Sequence, residues 1–152
     1  MRNLRPVLAV VAGFAVIVLL TAALFAALLI ALGKDRIFEP GTTQPTTAVH
    51  VARIAISVLV SVVGGFACAR ISRSGRPALV LALLVLVGGI ANAFVEMNKP
   101  EPGPRPDDMP LLEAAERGKE PMWVAFLNPL IGFGGILLGS HLARRRSRSE
   151  GP

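Results

Sequence analysis

Apolar residues fall in four long blocks along the chain, separated by segments rich in charge, proline and threonine. The first block, 7–32, runs 26 residues without a charge. At about 1.5 Å per residue, a helix of that length exceeds a hydrocarbon core of about 30 Å, so it tilts or protrudes. The second block is 50–69, with Arg53 near its start. The third is 77–95, closed by Glu96, and the fourth is 122–143. Each is near the roughly 20 residues that a spanning helix requires. Backbone groups have no water to bond in lipid, so the blocks predict helices. MRNLR, ahead of the first block, looks like the start of a signal peptide. The apolar run is too long for one, however, and no small-x-small cleavage site follows a short apolar core. The expectation is a retained helix.

The connections differ in kind. RISRSGR (70–76) reads as a tight basic turn. Residues 33–49 are threonine-rich, with a turn at Pro40-Gly41. In 97–121, KPEPGPRP has proline at every second position and reads as stiff and extended. DDMPLLEAAERG then reads as a short helix, capped by Asp107 or Asp108, with Pro110 in its first turn and Gly118 as terminator. Leu111, Leu112 and Ala115 would share one face of it. That face either lies on a membrane surface or packs under the loop.

Composition agrees with the blocks. The chain has 152 residues, 53% of them hydrophobic, and a mean hydropathy of +0.60. Soluble domains of this length are less apolar. The net charge of +6 raises the question of nucleic acid. The basic residues instead flank the apolar blocks and form no patch with interleaved aromatics, which argues against it. The single cysteine, Cys68, excludes an intramolecular disulfide and reads as a small buried apolar residue. Lysine and arginine favour the cytoplasmic side of a membrane. With the N-terminus inside, the short inner segments hold nine arginines (Arg2, Arg5, Arg70, Arg73, Arg76, Arg144, Arg145, Arg146, Arg148) against Glu150 alone. The long outer loops are acid-rich. The expected fold is all-α, an integral membrane bundle of four transmembrane helices. Both termini are cytoplasmic, and a basic tail (144–152) orients the last helix or binds anionic lipid. The expected location is the bacterial inner membrane.

Polar side chains inside the blocks cluster at one depth. Arg53 and Glu96 lie near the outer face. Asn92 is one turn below Glu96, about 6 Å deeper, and Asn128 is at similar depth. Small residues continue these positions along helical rows: Ser57, Ser61, Gly65 and Ala69 after Arg53, Gly88 before Asn92, and Gly132 after Asn128. Gly135 and Gly139 form a GxxxG pair. Small residues let helices approach, and polar ones bond across the contact. Pro129 removes a backbone hydrogen bond and kinks its helix. Two readings follow. In one, Asn92, Asn128 and an Arg53–Glu96 pair hold the bundle together. In the other, the four residues line an outward-facing cavity for a small solute or ion. VGGFACARISRS also loosely echoes FGGILLGSHLARRRSRS, which would fit a duplicated hairpin.

Other chemistry is missing from the sequence. His50 and His141 are at opposite ends of their helices, and no ligand spacing for a metal occurs. No Ser/His/Asp set shares a depth, and no phosphate loop is present. Neither an enzyme nor a cofactor is expected. Trp123 fits an interfacial anchor. WVAFLNPLIGFGGILLGSHLARR, with the four-block pattern and the proline-rich loop, resembles a set of small bacterial four-helix membrane proteins. That resemblance is strongest over 121–145 and implies architecture only. Small multidrug transporters share the helix count, but their first helix carries a glutamate and 7–32 has no acid. The leading expectation is a protein that acts through helix packing in the lipid bilayer, as a partner or accessory subunit of another membrane protein or as a homo-oligomer. The alternative is binding or transport of a small solute.

Overall fold

The structure is a computed structural model and describes residues 4–101, 103–106 and 108–149. Its elements are α1 (Arg5–Leu32), α2 (Lys34–Ile37), α3 (Thr47–Ser72), α4 (Arg76–Met97), α5 (Leu111–Arg117) and α6 (Met122–Ser149). The four long helices are each long and apolar enough to cross a membrane. No strand forms among the described residues. Two isolated bridges, Phe38 with Pro45 and Thr42 with Pro104, tie the connectors.

The helices outrun the apolar blocks. Pro6 and Pro77 sit in the first turns of α1 and α4, where a missing N–H costs nothing because that group has no helical acceptor. α6 continues through Arg144–Arg146, so much of the segment expected as a tail is helix. Arginine is a good helix former, and cations at a helix C-terminus oppose its dipole. Residues 150–152 lie outside the described residues.

Chain direction gives the bundle two ends. The start of α1, the α3–α4 turn and the end of α6 share one, the termini end. The connectors 33–46 and 98–121 cover the other, the capped end. Around the bundle the order is α1, α3, α6, α4, with the α1–α4 seam the least engaged. α3 and α6 are parallel neighbours. Arg53 meets Glu120 at the capped end, and Gly75 lies against Arg144 at the other.

Glycine makes this neighbourhood possible. A Cβ on Gly65 would overlap the backbone of Ile136, and one on Gly139 the backbone of Val62. The two backbones are therefore in direct contact. In lipid surroundings helix association draws on such close van der Waals packing. In the termini half, Ala9, Cys68, Ala78, Leu81, Ala82 and Ile136 fill the centre. Outward faces carry large apolar side chains, such as Leu19 at 69% and Ile30 at 83% exposed. A protein in water buries such groups, whereas lipid solvates them.

The capped end has its own small core of Ile37, Phe38, Val49 and Ala114, with Leu29, Leu32, Met109, Leu111 and Ala115 around it. The Arg105 guanidinium lies 5.4 Å from the centre of the Phe38 ring, and the Arg105 N–H donates to the Gly41 carbonyl at 2.9 Å. α5 corrects the sequence reading. Its N-cap is Pro110, extended at ψ 143, with no side-chain cap. Proline excludes the preceding residue from helical backbone, so Met109 cannot continue a helix begun at Asp108. Asp107 lies outside the described residues. Gly118 does end the helix, in an extended conformation. Leu111, Ala114 and Ala115 face the small core, at the i, i+3, i+4 spacing of one helical face. Leu112 is off that face and 68% exposed. α5 is thus a packed loop helix.

Substitution of glycine should change stability with opposite sign at different sites. Gly139→Ala pushes Val62 backbone away and should cost about 1–3 kcal/mol. Gly134 is exposed, with nothing near its Cβ position. Gly134→Ala should gain up to about 1 kcal/mol from helix propensity. Thermal melts in mild detergent read both; equal shifts would mean that α3 and α6 do not touch at Gly139.

Candidate functional site

The bundle is close-packed toward the termini end and opens toward the capped end. Gly13 of α1 packs closely on Leu81 of α4 and Cys68 of α3: a Cβ there would lie 2.8 Å and 2.9 Å from their side chains. Beyond it, α1 offers Val18, Thr21 and Ala22 to the space between helices. On the far side, α4 is seated on α6 by Gly89, whose Cβ position lies 2.6 Å from Pro129 Cγ. Phe94 and Phe126 stack edge to face there at 5.8 Å. α1 and α4 therefore diverge while α3 and α6 stay together. The result is a cavity of about 530 Å³ bounded by all four long helices.

Its walls differ in character. The α3 and α6 side is enclosed: Val60, Ser61, Pro129 and Gly132 are buried. On the α1 and α4 side, Val18, Thr21, Ala22 and Asn92 line the space and are themselves exposed. The cavity thus opens sideways, through the α1–α4 seam.

Three of the four polar residues singled out in the sequence line this space: Arg53, Asn92 and Asn128. Glu96 does not; it is buried at the capped end above the cavity. The expected Arg53–Glu96 ion pair is replaced by another arrangement. Arg53 pairs with Glu120 and lies 5.4 Å from the centre of the Phe25 ring. The backbone N–H of Glu120 donates to Glu96 Oε1 at 2.9 Å, and Lys99 pairs with Glu96 at 2.9 Å. Glu120 is thus the hub joining α3 and α4 to the start of α6. The sequence reading does not single it out, because it falls within the 97–121 connection. Pro121 marks the entry of α6 and places Glu120 at the depth of Arg53.

His50 is one turn above Arg53 and 6% exposed. Neither ring nitrogen has a hydrogen-bond partner among the described residues, although one of them carries a hydrogen in either tautomer. The charges of Arg53 and Glu120 both act on it.

Deeper in, Asn128 lines the cavity while its Oδ1 is shut off from solvent and unpartnered. The side chain therefore turns its amide NH₂ toward the space. The reverse orientation would bury two unpaired donors in place of one carbonyl. Pro129 adds a further polar group, because its missing N–H leaves the Ala125 carbonyl without its helical donor. Ser61 Oγ donates to the Val58 carbonyl at 3.0 Å within its own helix. Asn92 forms no interhelical hydrogen bond among the described residues. Of the remaining small residues, Gly132 packs against Val85, which a Cβ there would meet at 3.0 Å, and Gly135 against Ser61. No group of three metal-ligating side chains occurs among the described residues.

Comparison with known protein families, curated proteins and solved structures finds no match to this chain.

The ion pair at the hub is half sheltered: the Arg53 side chain is 32% exposed and that of Glu120 12%. Its coupling should fall between the values for exposed and buried pairs, at about 1–3 kcal/mol. A double-mutant cycle of Arg53→Ala and Glu120→Ala, read by unfolding in detergent, measures it. Strictly additive losses would mean that the pair contributes no coupling.

Proposed function

We propose that this chain is a multi-pass protein of the bacterial cytoplasmic membrane, with both termini in the cytoplasm, that binds or carries a small molecule in its four-helix cavity. The observation that carries this reading is the cavity itself. It gathers polar groups from three separate helices, and two of them, Asn92 and Asn128, have no interhelical hydrogen bond among the described residues, where a packing role would have paired them. Its volume is within the roughly 300–1,000 Å³ of small-molecule sites.

A role as an accessory subunit, the leading expectation from the sequence, drew on rows of small residues. Of these, Gly65, Gly135 and Gly139 are engaged between α3 and α6 and are not offered to a partner. The orientation draws on charge. Arg5, Arg70, Arg73, Arg76 and Arg144–Arg146 crowd the termini end, and no described residue there is acidic. The capped end carries the acids. Arginine excess marks the cytoplasmic side.

Thiol labelling tests both parts. In a Cys68→Ser background, Glu101→Cys should react in intact cells with a membrane-impermeant maleimide, and Arg146→Cys should not. The reverse pattern would overturn the topology. Asn128→Cys should react with a small permeant maleimide, and Ala22→Trp at the cavity mouth should slow that reaction at least tenfold. An unreactive Asn128→Cys, with Glu101→Cys reacting normally, would mean a dry helix contact and no binding site.

A further inference from the structure

The cavity also has a chemical preference, which deepens the binding reading above and rests on it. Consider what its polar groups offer a guest. Asn128 presents an NH₂ group, with two donors and no partner among the described residues. Arg53 carries five N–H donors in a planar fork and, among the described residues, shares them with the Glu120 carboxylate. Asn92 adds a second amide at the mouth. The Asn128 NH₂ and the Arg53 guanidinium thus offer donors, while the Glu120 carboxylate, held by Arg53, and the Ala125 carbonyl are acceptors. Beside Asn128 a guest needs an acceptor.

Charge narrows the choice. Arg53 and Glu120 neutralise each other where they line the cavity. An anionic guest would have to compete with Glu120 for Arg53, and a cationic one would lie beside Arg53. A neutral acceptor avoids both costs, because desolvating an unpaired charge is far more expensive than desolvating a carbonyl. The remaining lining is apolar: Ile17, Val18, Ile56, Val60 and Val85. Val18 lines the mouth at the α1–α4 seam, and the outward surfaces of α1 and α4 carry exposed apolar side chains such as Leu19 and Val87. An apolar molecule diffusing in the bilayer meets this mouth without crossing water.

We infer that the cavity binds a neutral acyl ester, entering sideways through the α1–α4 seam. The acyl chain occupies the apolar wall between α1, α3 and α4. The ester carbonyl accepts hydrogen bonds from the Asn128 amide and the unspent donors of Arg53. The ester reaches the site either as a lipid of the surrounding bilayer or as a free ester dissolved in it.

Photolabelling distinguishes these cases. The intact protein, reconstituted in nanodiscs, is irradiated with diazirine-bearing methyl palmitate, with the corresponding palmitate anion, or with a diazirine-bearing C16 hydrocarbon. A fourth sample carries the diazirine in the acyl chain of phosphatidylglycerol. Mass spectrometry then reads labelling at cavity positions (Ile17, Thr21, Ile56, Val60) against the lipid-facing Leu19. The methyl ester should label the cavity positions, and Asn128→Leu should reduce that labelling about threefold to tenfold, the range for one lost hydrogen bond. Hydrocarbon labelling should not change. Leucine matches asparagine in shape and leaves no partner unpaired, because Asn128 has none among the described residues. Ala22→Trp, at an exposed position on the mouth, should exclude the methyl ester, and it keeps the test valid should Asn128→Leu express poorly. Phosphatidylglycerol labelling of the same positions would name bilayer lipid as the source. Labelling by the ester and hydrocarbon alike, indifferent to Asn128→Leu, would overturn the inference. Cavity labelling by the anion but not the ester would overturn the ester class and leave the binding site standing. No cavity labelling by any probe would remove both.

Discussion

Contact between the backbones of α3 and α6 is the constraint on which the rest of the bundle depends. Gly65 and Gly139 leave no room for a Cβ, so these two parallel helices form a tight central pair. Parallel neighbours cannot be joined by a short turn. The chain must instead run back through α4 and across the capped end before α6 begins. α1 and α4, which run the opposite way, lie on either side of the pair. In the termini half, small residues let all four helices meet around Ala78, Leu81 and Ala82. Farther along, α4 follows α6 through Gly89 and Pro129, while α1 follows α3. The seam between them then has nothing to close it. The cavity is a geometric consequence of which helices are held together.

The capped end compensates for this opening. Arg53, Glu120, Glu96 and Lys99 form a linked set across α3, α4 and the entry to α6. Arg53 and Lys99 are each about a third exposed and retain part of their hydration, so the desolvation cost is modest compared with a fully buried pair. Above α3, the small core of Ile37, Phe38, Val49 and Ala114 fixes the connector to the end of α1. Both connectors are thereby anchored to helix ends. Fixed ends hold α1 and α4 apart at their tops as firmly as the central packing holds them together at their bases.

The four helices were legible in the sequence because hydrophobic blocks of that length have one structural solution in lipid. The helix contacts were legible only in kind. The row Gly88, Asn92, Glu96 was read as a contact strip, yet Gly88 has open space around it and the adjacent Gly89 meets Pro129. A single residue is about 100° around a helix, and no periodicity in so uniformly apolar a segment selects between the two. Arg53 and Glu96 were expected to pair; both instead engage Glu120, because a loop assignment hides a residue that folds back to the helix boundary. The helix after Pro110 began later than its acidic residues suggested, since the proline, and not the aspartates, decides where helical backbone can start.

The Asn128-Pro129 pair resolves in these terms. A proline inside a helix normally costs about 3 kcal/mol, and an amide in an apolar segment adds to that. In α6 the proline ring fills the hollow left by Gly89 and seats α4 on α6. Asn128, about 100° around the helix, turns from that contact into the space that α1 fails to fill. Proline thus serves the packed face and asparagine the open one. They stand together because α6 passes there from a three-sided contact to a cavity wall. A larger residue at 89 would lift α4 from the proline and widen the seam. A smaller one at 129 would leave α4 unseated and let the cavity collapse. The cavity therefore depends on a matched pair of groups on two helices, neither of which contributes a polar side chain to it.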